Sequence, residues 1–254
     1  MGQALFVIGP AGSGKTTFCK NLTNHGKFIN RSFKVINLDP ANIFDDFHYY
    51  SDIREFITVD EVQENTDLGP NTSLLYALKE MYDNIEELEL DTFQEDFLVF
   101  DCPGQIELFS HSEIINDILN YVSKFMKCSV IFVLDCFFIS DPFKFVLGNM
   151  TGYLTALNFN VPRLNVLTKL DLFGKSIDVS EIGEIVKKNI FTKNKKYNGA
   201  TLKMLEFLEE NHSIDYFNLF WDDEESLHEF IYAIDTLTEY CEDAEPRINY
   251  PEEY

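Results

Sequence analysis

The apolar residues of this chain are gathered into short runs. Six of them, Leu5–Ile8, Phe33–Leu38, Phe97–Phe100, Ser129–Leu134, Leu164–Leu167 and Tyr216–Trp221, are rich in Val, Ile, Leu and Phe and are bounded by turn residues. Strands buried on both faces of a parallel sheet look like this, because neither face meets water and the alternation of apolar and polar positions is lost. Between the runs lie segments with helical spacing, near Lys15–His25, Leu74–Leu90, Ile114–Met126, Phe143–Leu157, Val179–Lys187, Ala200–Glu210 and Glu224–Cys241. Strand and helix alternate throughout, which predicts an α/β fold with a mostly parallel central sheet and helices on both faces. No internal repeat or Gly/Ser linker breaks the pattern, so 1–254 reads as a single domain.

Composition alters this picture in two ways. With 45% apolar and 15% aromatic residues the chain can bury a core despite its net charge of −23. That charge, 43 acids against 20 Lys and Arg, disfavours direct binding of nucleic acid or an anionic membrane, since both need clustered cations. Asp222 to Tyr254 holds twelve acids and a single base, Arg247, so an acidic C-terminal helix and tail at about 222–254 carries much of the excess. Solubility accounts for such a surface as well as a basic protein partner does. Lys187 to Asn198 is basic, and within 174–215 a loop, an insertion and a contact surface all fit it. Five cysteines without C-x-x-C spacing predict a reducing compartment. No apolar run approaches a membrane span and Met1–Ile8 lacks a basic start, so the expected location is the cytoplasm.

The chemistry is concentrated in three motifs. Gly9-Pro10-Ala11-Gly12-Ser13-Gly14-Lys15-Thr16 fits G-x-x-x-x-G-K-[ST] between a predicted strand and a predicted helix, the context that a phosphate-binding loop requires. Backbone N–H groups around Gly12, Ser13 and Gly14 would close on phosphate oxygens, Lys15 would reach the β and γ phosphates, and Thr16 is the expected Mg²⁺ ligand, with Thr17 beside the α phosphate. A turn that merely starts a helix is the competing reading. At the end of another buried run, Asp101 supplies the carboxylate that a nucleotide-bound Mg²⁺ usually needs. It opens Asp101-Cys102-Pro103-Gly104, followed by Gln105, where switch GTPases place a water-orienting glutamine. Ordinary turn chemistry would also put a polar residue after Pro-Gly. Finally, Thr168-Lys169-Leu170-Asp171 resembles the N-K-x-D guanine signature. A carboxylate accepts hydrogen bonds from guanine N1–H and its 2-amino group, whereas adenine offers no such pair, so GTP is preferred over ATP.

These residues, with Gly69-Pro70-Asn71, Asn37-Leu38-Asp39-Pro40-Ala41 and Asp101-Cys102-Pro103-Gly104-Gln105-Ile106-Glu107-Leu108, resemble the GPN-loop GTPases over residues 1 to about 173. Ser51-Asp52-Ile53-Arg54-Glu55 and the short C-terminus are most similar to the third eukaryotic branch of that family. On physics alone Gly69-Pro70-Asn71 is a turn capping a helix. The resemblance implies instead a P-loop NTPase fold and a dimer whose Gly-Pro-Asn loops enter each other's sites, so that Asn71 would act in trans. It also implies Asp39, Gln105 and Glu107 around the attacking water and metal. An Asp-Pro turn and a first-turn helix acid remain the plainer readings of Asp39 and Glu107. None of the four arginines lies in an obvious loop beside the phosphate motif, and Pro10 stands where relatives often carry a lysine, which leaves Asn71 and Mg²⁺ to neutralise charge. Phe217-Asn218-Leu219-Phe220-Trp221 lacks the family's base-covering triplet.

The function so implied is a Mg²⁺-dependent GTP-to-GDP switch, paired with itself or with another GPN-loop GTPase, that assists RNA polymerase II assembly and nuclear import through contact with polymerase subunits. Cytoplasmic residence with shuttling to the nucleus would follow. Two rivals stay open: a nucleotide-bound scaffold with little turnover, and a P-loop small-molecule kinase, which the scarcity of arginine disfavours.

Overall fold

The computed structural model describes residues 2–42, 47–93, 96–105, 113–170, 181–193 and 196–240. Strands β1 (Gly2–Ile8), β2 (Phe33–Asn37), β3 (Ser51–Asp52), β4 (Phe97–Asp101), β5 (Met126–Asp135), β6 (Arg163–Thr168) and β7 (Phe217–Asn218) form one parallel sheet in the order β3-β2-β4-β1-β5-β6-β7. The helices among the described residues are α1 (Lys15–Phe28), α2 (Val59–Asn65), α3 (Pro70–Asp83), α4 (Ile114–Val122), α5 (Pro142–Phe159), α6 (Ile182–Lys193), α7 (Asn198–Glu210) and α8 (Glu224–Leu237).

Each central strand sends alternate side chains into two separate cores. Ala4, Phe6 and Ile8 of β1, with Leu98 and Phe100 of β4, face the side covered by α3 to α7. Leu5 and Val7, with Phe97 and Val99, face Phe18, Cys19 and Leu22 of α1 and Leu227, Phe230 and Ile234 of α8. Both faces are dry, so the continuous apolar runs have their physical reason. The chain leaves β1 for α1 on one face, while α4, which follows β4, lies on the other. Neighbouring strands β1 and β4 therefore part at their carboxyl ends and open a crevice, the position where open α/β sheets bind ligands.

Several boundaries differ from the sequence expectation. β3 is a two-residue Ser-Asp strand with no apolar run to announce it. α2 exposes most of its surface and buries only Val62; its one sequence signal is the capping box of Thr58 and Glu61, where each side chain accepts from the other's backbone N–H. α4 stops at Val122 and β5 begins at Met126, inside the expected helix Ile114–Met126. α3 starts four residues before Leu74 because Pro70 occupies its first turn, and it gives way after Asp83 to the 3-10 turn Ile85–Leu88. The run Tyr216–Trp221 pairs only at Phe217–Asn218, since the chain then bends to cap α8: Phe220 N donates to Ser226 Oγ and Ser226 N to Asp223 Oδ2. Most of the basic stretch near 187–198 belongs to α6, which pairs Lys187 with Glu209 of α7 at 2.8 Å. No described helix is long and apolar enough to cross a membrane.

Phe100 is fully buried and stacks on Phe6 with ring centroids 4.5 Å apart. Phe100→Ala should lower unfolding free energy by about 3–5 kcal/mol, the usual cost of emptying an aromatic core site, read from the midpoint of chemical denaturation.

Candidate functional site

The loop from Gly9 to Gly14 lies across the carboxyl ends of β1, β5 and β6. Gly9 is held at φ +154°, and a Cβ there would come within 2.2 Å of the Val133 carbonyl oxygen, so no other residue fits between β1 and β5. Gly14 caps α1 in the left-handed region at φ +94°, and the first turn of α1 carries no acid, which keeps its N–H groups and positive dipole end available to an anion. Lys15 is buried under this loop, its Nζ donating to the carbonyls of Gly9 and Pro10, both at 3.2 Å. Burial pulls its pKa down, against the opposing pull of Asp101 and Asp39.

Across the β1–β4 crevice, Thr16 Oγ1 donates to Asp101 Oδ2 at 2.7 Å. Asp101 is 1% exposed, and burial pushes its carboxyl up to about 6 although Thr16 and Lys15 pull the other way. Among the described residues, Asp101 Oδ1, Gln105 Oε1 and Ser13 Oγ are buried without a hydrogen-bond partner. Gly104 lies so close to the loop that a Cβ would reach within 2.7 Å of Ala11 Cα and 2.8 Å of Lys15 Nζ. Asp39 is positioned by its neighbours: its N–H donates to Asn37 Oδ1 at 3.0 Å and its Oδ1 accepts from Ala41 N at 3.0 Å. Burial raises its pKa, which the Ala41 N–H and Lys15 partly offset.

Two adjoining clefts follow from this arrangement. One, of about 480 Å³, is lined by the phosphate loop together with Asp39, Asn42, Leu74, Gly104 and Gln105. The other, of about 650 Å³, runs from Gly14 and Thr17 past Thr168, Lys169 and Leu170 to Leu219, Phe220 and Trp221. Thr168 ties β6 to the loop by donating to the Ser13 carbonyl at 2.6 Å. Lys169 sits at φ +61° and bridges the two sides, its Nζ reaching Gly12 O at 2.7 Å and Asp135 Oδ2 at 2.6 Å. A separate hollow of about 920 Å³ between α1 and α8 touches no phosphate-loop residue and lacks the converging N–H donors that mark a phosphate site.

The structure thus brings together Gly12, Ser13, Gly14, Lys15, Thr16, Thr17, Asp39, Asp101, Gln105, Thr168, Lys169 and Leu170. Gly69, Pro70 and Asn71 form the exposed start of α3; Asn71 does not line the phosphate cleft, whereas Leu74, one turn on, does. Asp171 and Glu107 lie outside the described residues. Arg54, which the sequence places in no obvious loop beside the phosphate motif, donates from Nη1 to the Asn42 carbonyl at 2.9 Å and so stands behind the cleft wall. Its signal was the pairing Asp52-Ile53-Arg54, which forms a fork with Nη2–Oδ2 at 2.6 Å.

A glycine-rich loop feeding a helix N-terminus from a central parallel strand, with a Thr–Asp pair across the crevice, defines a P-loop nucleotide-binding protein. A family model described as "Conserved hypothetical ATP binding protein" matches residues 7–240. The chain is 34% identical over 253 residues to GPN-loop GTPase 3 of Dictyostelium discoideum, covering 95% of this chain and 88% of that one. It is 33% identical to GPN-loop GTPase 3 of Xenopus tropicalis, covering 95% and 90%. Among solved structures, an apo GTPase from Pyrococcus abyssi superposes with a TM-score of 0.72 at 20% identity, covering 94% of this chain and 98% of that one, which shows the fold. The chain belongs to the GPN-loop GTPase family, in its GPN-loop GTPase 3 branch.

Asp101 binds a proton more tightly folded than unfolded, so its charge costs stability once ionised. Stability should fall as pH rises from about 4 to about 6, between the ordinary carboxylate value and the raised one. Asp101→Asn keeps an oxygen for Thr16 and removes this cost. The nucleotide-free variant should be more stable at pH 7 by about 1–3 kcal/mol and lose that slope, as denaturant unfolding at a series of pH values would record.

Proposed function

We propose that this chain, as one domain, binds Mg-GTP across the two clefts and hydrolyses it to GDP and phosphate as half of a dimer. The observation that carries the reading is the Thr16–Asp101 contact of 2.7 Å, with the second oxygen of Asp101 buried and bare. A buried carboxylate oxygen without a partner is costly unless something positive meets it. A Mg²⁺ ion, which takes one or two protein oxygens and completes its shell with phosphates and water, fits that donor set. Held by Thr16 and Asp101, it would neutralise charge on the phosphate oxygens.

The remaining work falls to the chain's own groups. Lys15 would leave the loop carbonyls for the β and γ phosphates, and the Gly104 N–H, packed against Ala11, would face the γ phosphate. Gln105 would hold a water in line, and Asp39, whose carboxyl is lifted by burial, would orient that water or take its proton. Glu107 would join this set, and Asn71 would contact phosphate from the partner subunit. The finer role follows the family resemblance: a homodimer or a heterodimer with another GPN-loop GTPase, assisting RNA polymerase II assembly and nuclear import.

Two experiments test this reading. The matching family model is described by ATP, the relatives by GTP, and Asp171 decides between bases. Asp171→Asn should exchange GTP for xanthosine triphosphate preference in a competition binding assay; retained GTP preference would refute the base assignment. Phosphate release per chain from Mg-GTP should rise with protein concentration as dimers form, and Asn71→Ala should lower that rate at least tenfold with GTP affinity unchanged. A rate independent of concentration and of Asn71 would refute the shared site.

A further inference from the structure

The chain returns from the loop after Asp39 along the edge of the sheet. Tyr50 N donates to Val35 O at 2.7 Å, and β3 then pairs Ser51 with Ile36 and Asp52 with Asn37. This register turns Tyr50 outward, where it is 56% exposed, and Tyr49 inward, where it is 7% exposed. The Tyr49 ring packs edge-on against Phe47 with centroids 4.7 Å apart, which fixes where its hydroxyl points. That hydroxyl accepts from Asn42 Nδ2 at 2.7 Å, which leaves its own proton for Asp101 Oδ2, 3.4 Å away. Burial pushes the Tyr49 pKa up, so the hydroxyl remains a donor at neutral pH.

Asp101 therefore has two oxygens in unlike situations. Oδ2 receives the hydroxyls of Thr16 and Tyr49, while Oδ1 is buried with no partner. A carboxylate held by one oxygen cannot turn to offer the same atom to the cleft. Behind Tyr49, Arg54 forks onto Asp52 at 2.6–3.0 Å, donates to the Asn42 carbonyl at 2.9 Å and lies 5.9 Å from the Tyr49 ring centre.

Building on the proposed Mg²⁺ site, we infer that the Tyr49 hydroxyl is a positioning group: it clamps Oδ2 of Asp101 so that Oδ1 is presented to a divalent cation, and through Asn42 it couples the segment after Asp39 to that carboxylate. Tyr49 is not among the residues lining either cleft. It acts by fixing the orientation of another residue.

The test is the Mg²⁺ dependence of nucleotide retention, measured as dissociation of a fluorescent GDP from the full chain over a Mg²⁺ titration and again in EDTA. Tyr49→Phe keeps the ring and removes the hydroxyl. It should raise the Mg²⁺ concentration for half-maximal retention roughly three- to tenfold, the scale on which loss of one ordinary hydrogen bond acts, while the rate in EDTA and the melting temperature stay near wild type. Asn42→Ala, which frees the hydroxyl to rotate, should shift the titration the same way by less, and Tyr50→Phe should not shift it. A Tyr49→Phe titration that overlays a Mg²⁺-dependent wild type overturns this inference alone. A wild type whose GDP retention ignores Mg²⁺ overturns the metal site and this inference with it.

Discussion

The Thr16–Asp101 hydrogen bond ties the helix that follows β1 to the end of β4 across the crevice, and the rest of the site is arranged around it. Thr16 lies in the first turn of α1 and Asp101 ends β4, so a single 2.7 Å contact sets the phosphate loop at a defined distance from the neighbouring strand. The contact is part-buried, on a fully buried carboxylate beside a buried ammonium group, where low dielectric makes each interaction strong and each unpaired atom expensive. The same carboxylate that organises the loop is lifted in pKa by that burial. Burial disfavours the charged forms of Lys15, Asp39 and Asp101 together, a trade expected of a site built for an ionic ligand.

Sheet register explains why the polar residues meet there. Asp52 pairs with Asn37, Asn37 with Asp101 and Asp101 with Val7, so three polar side chains occupy one row across β3, β2 and β4 at the carboxyl edge. Asn37 uses that row fully: its Nδ2 donates to Asp52 Oδ1 at 2.8 Å and its Oδ1 accepts from Asp39 N at 3.0 Å. Arg54 keeps Asp52 ionised, holding its pKa down against the upward pull of burial. A one-residue slip of β2 would carry Asn37 to the opposite face and release Asp39, which is how backbone pairing reaches the chemistry.

Much of this could be read from the chain itself, and what could not has physical reasons. The strands ending at Ile8, Asp101 and Thr168 are apolar runs that lead into the three sequence motifs, so pattern and motif pointed to the same edge. β3 escaped because two residues carry no period, and α2 because a helix that buries one side chain has no apolar stripe. Arg54 gave no sign of lying near the site, because only the pairing of β3 with β2 brings it behind Asn42. Tyr49 looked like one aromatic among many; its inward turn is decided by register, which no single-chain pattern of two residues can fix.

The start of α3 poses a separate geometric question. Residues three apart on a helix share a face, so Asn71 lies on the side of α3 that carries Leu74, one turn nearer the helix start. Leu74 is buried and lines the phosphate cleft, while Asn71 is exposed. An exposed amide at a helix start, fixed in direction by Pro70 and unencumbered by any first-turn acid, suits a group that meets a second molecule better than one that serves its own cleft. Arg54 is occupied by Asp52 and Asn42, so among the described residues the cations that line the clefts are Lys15 and Lys169. A neutral amide arriving from a partner, as proposed for Asn71, would add hydrogen-bond donors for phosphate oxygens and leave that charge unchanged.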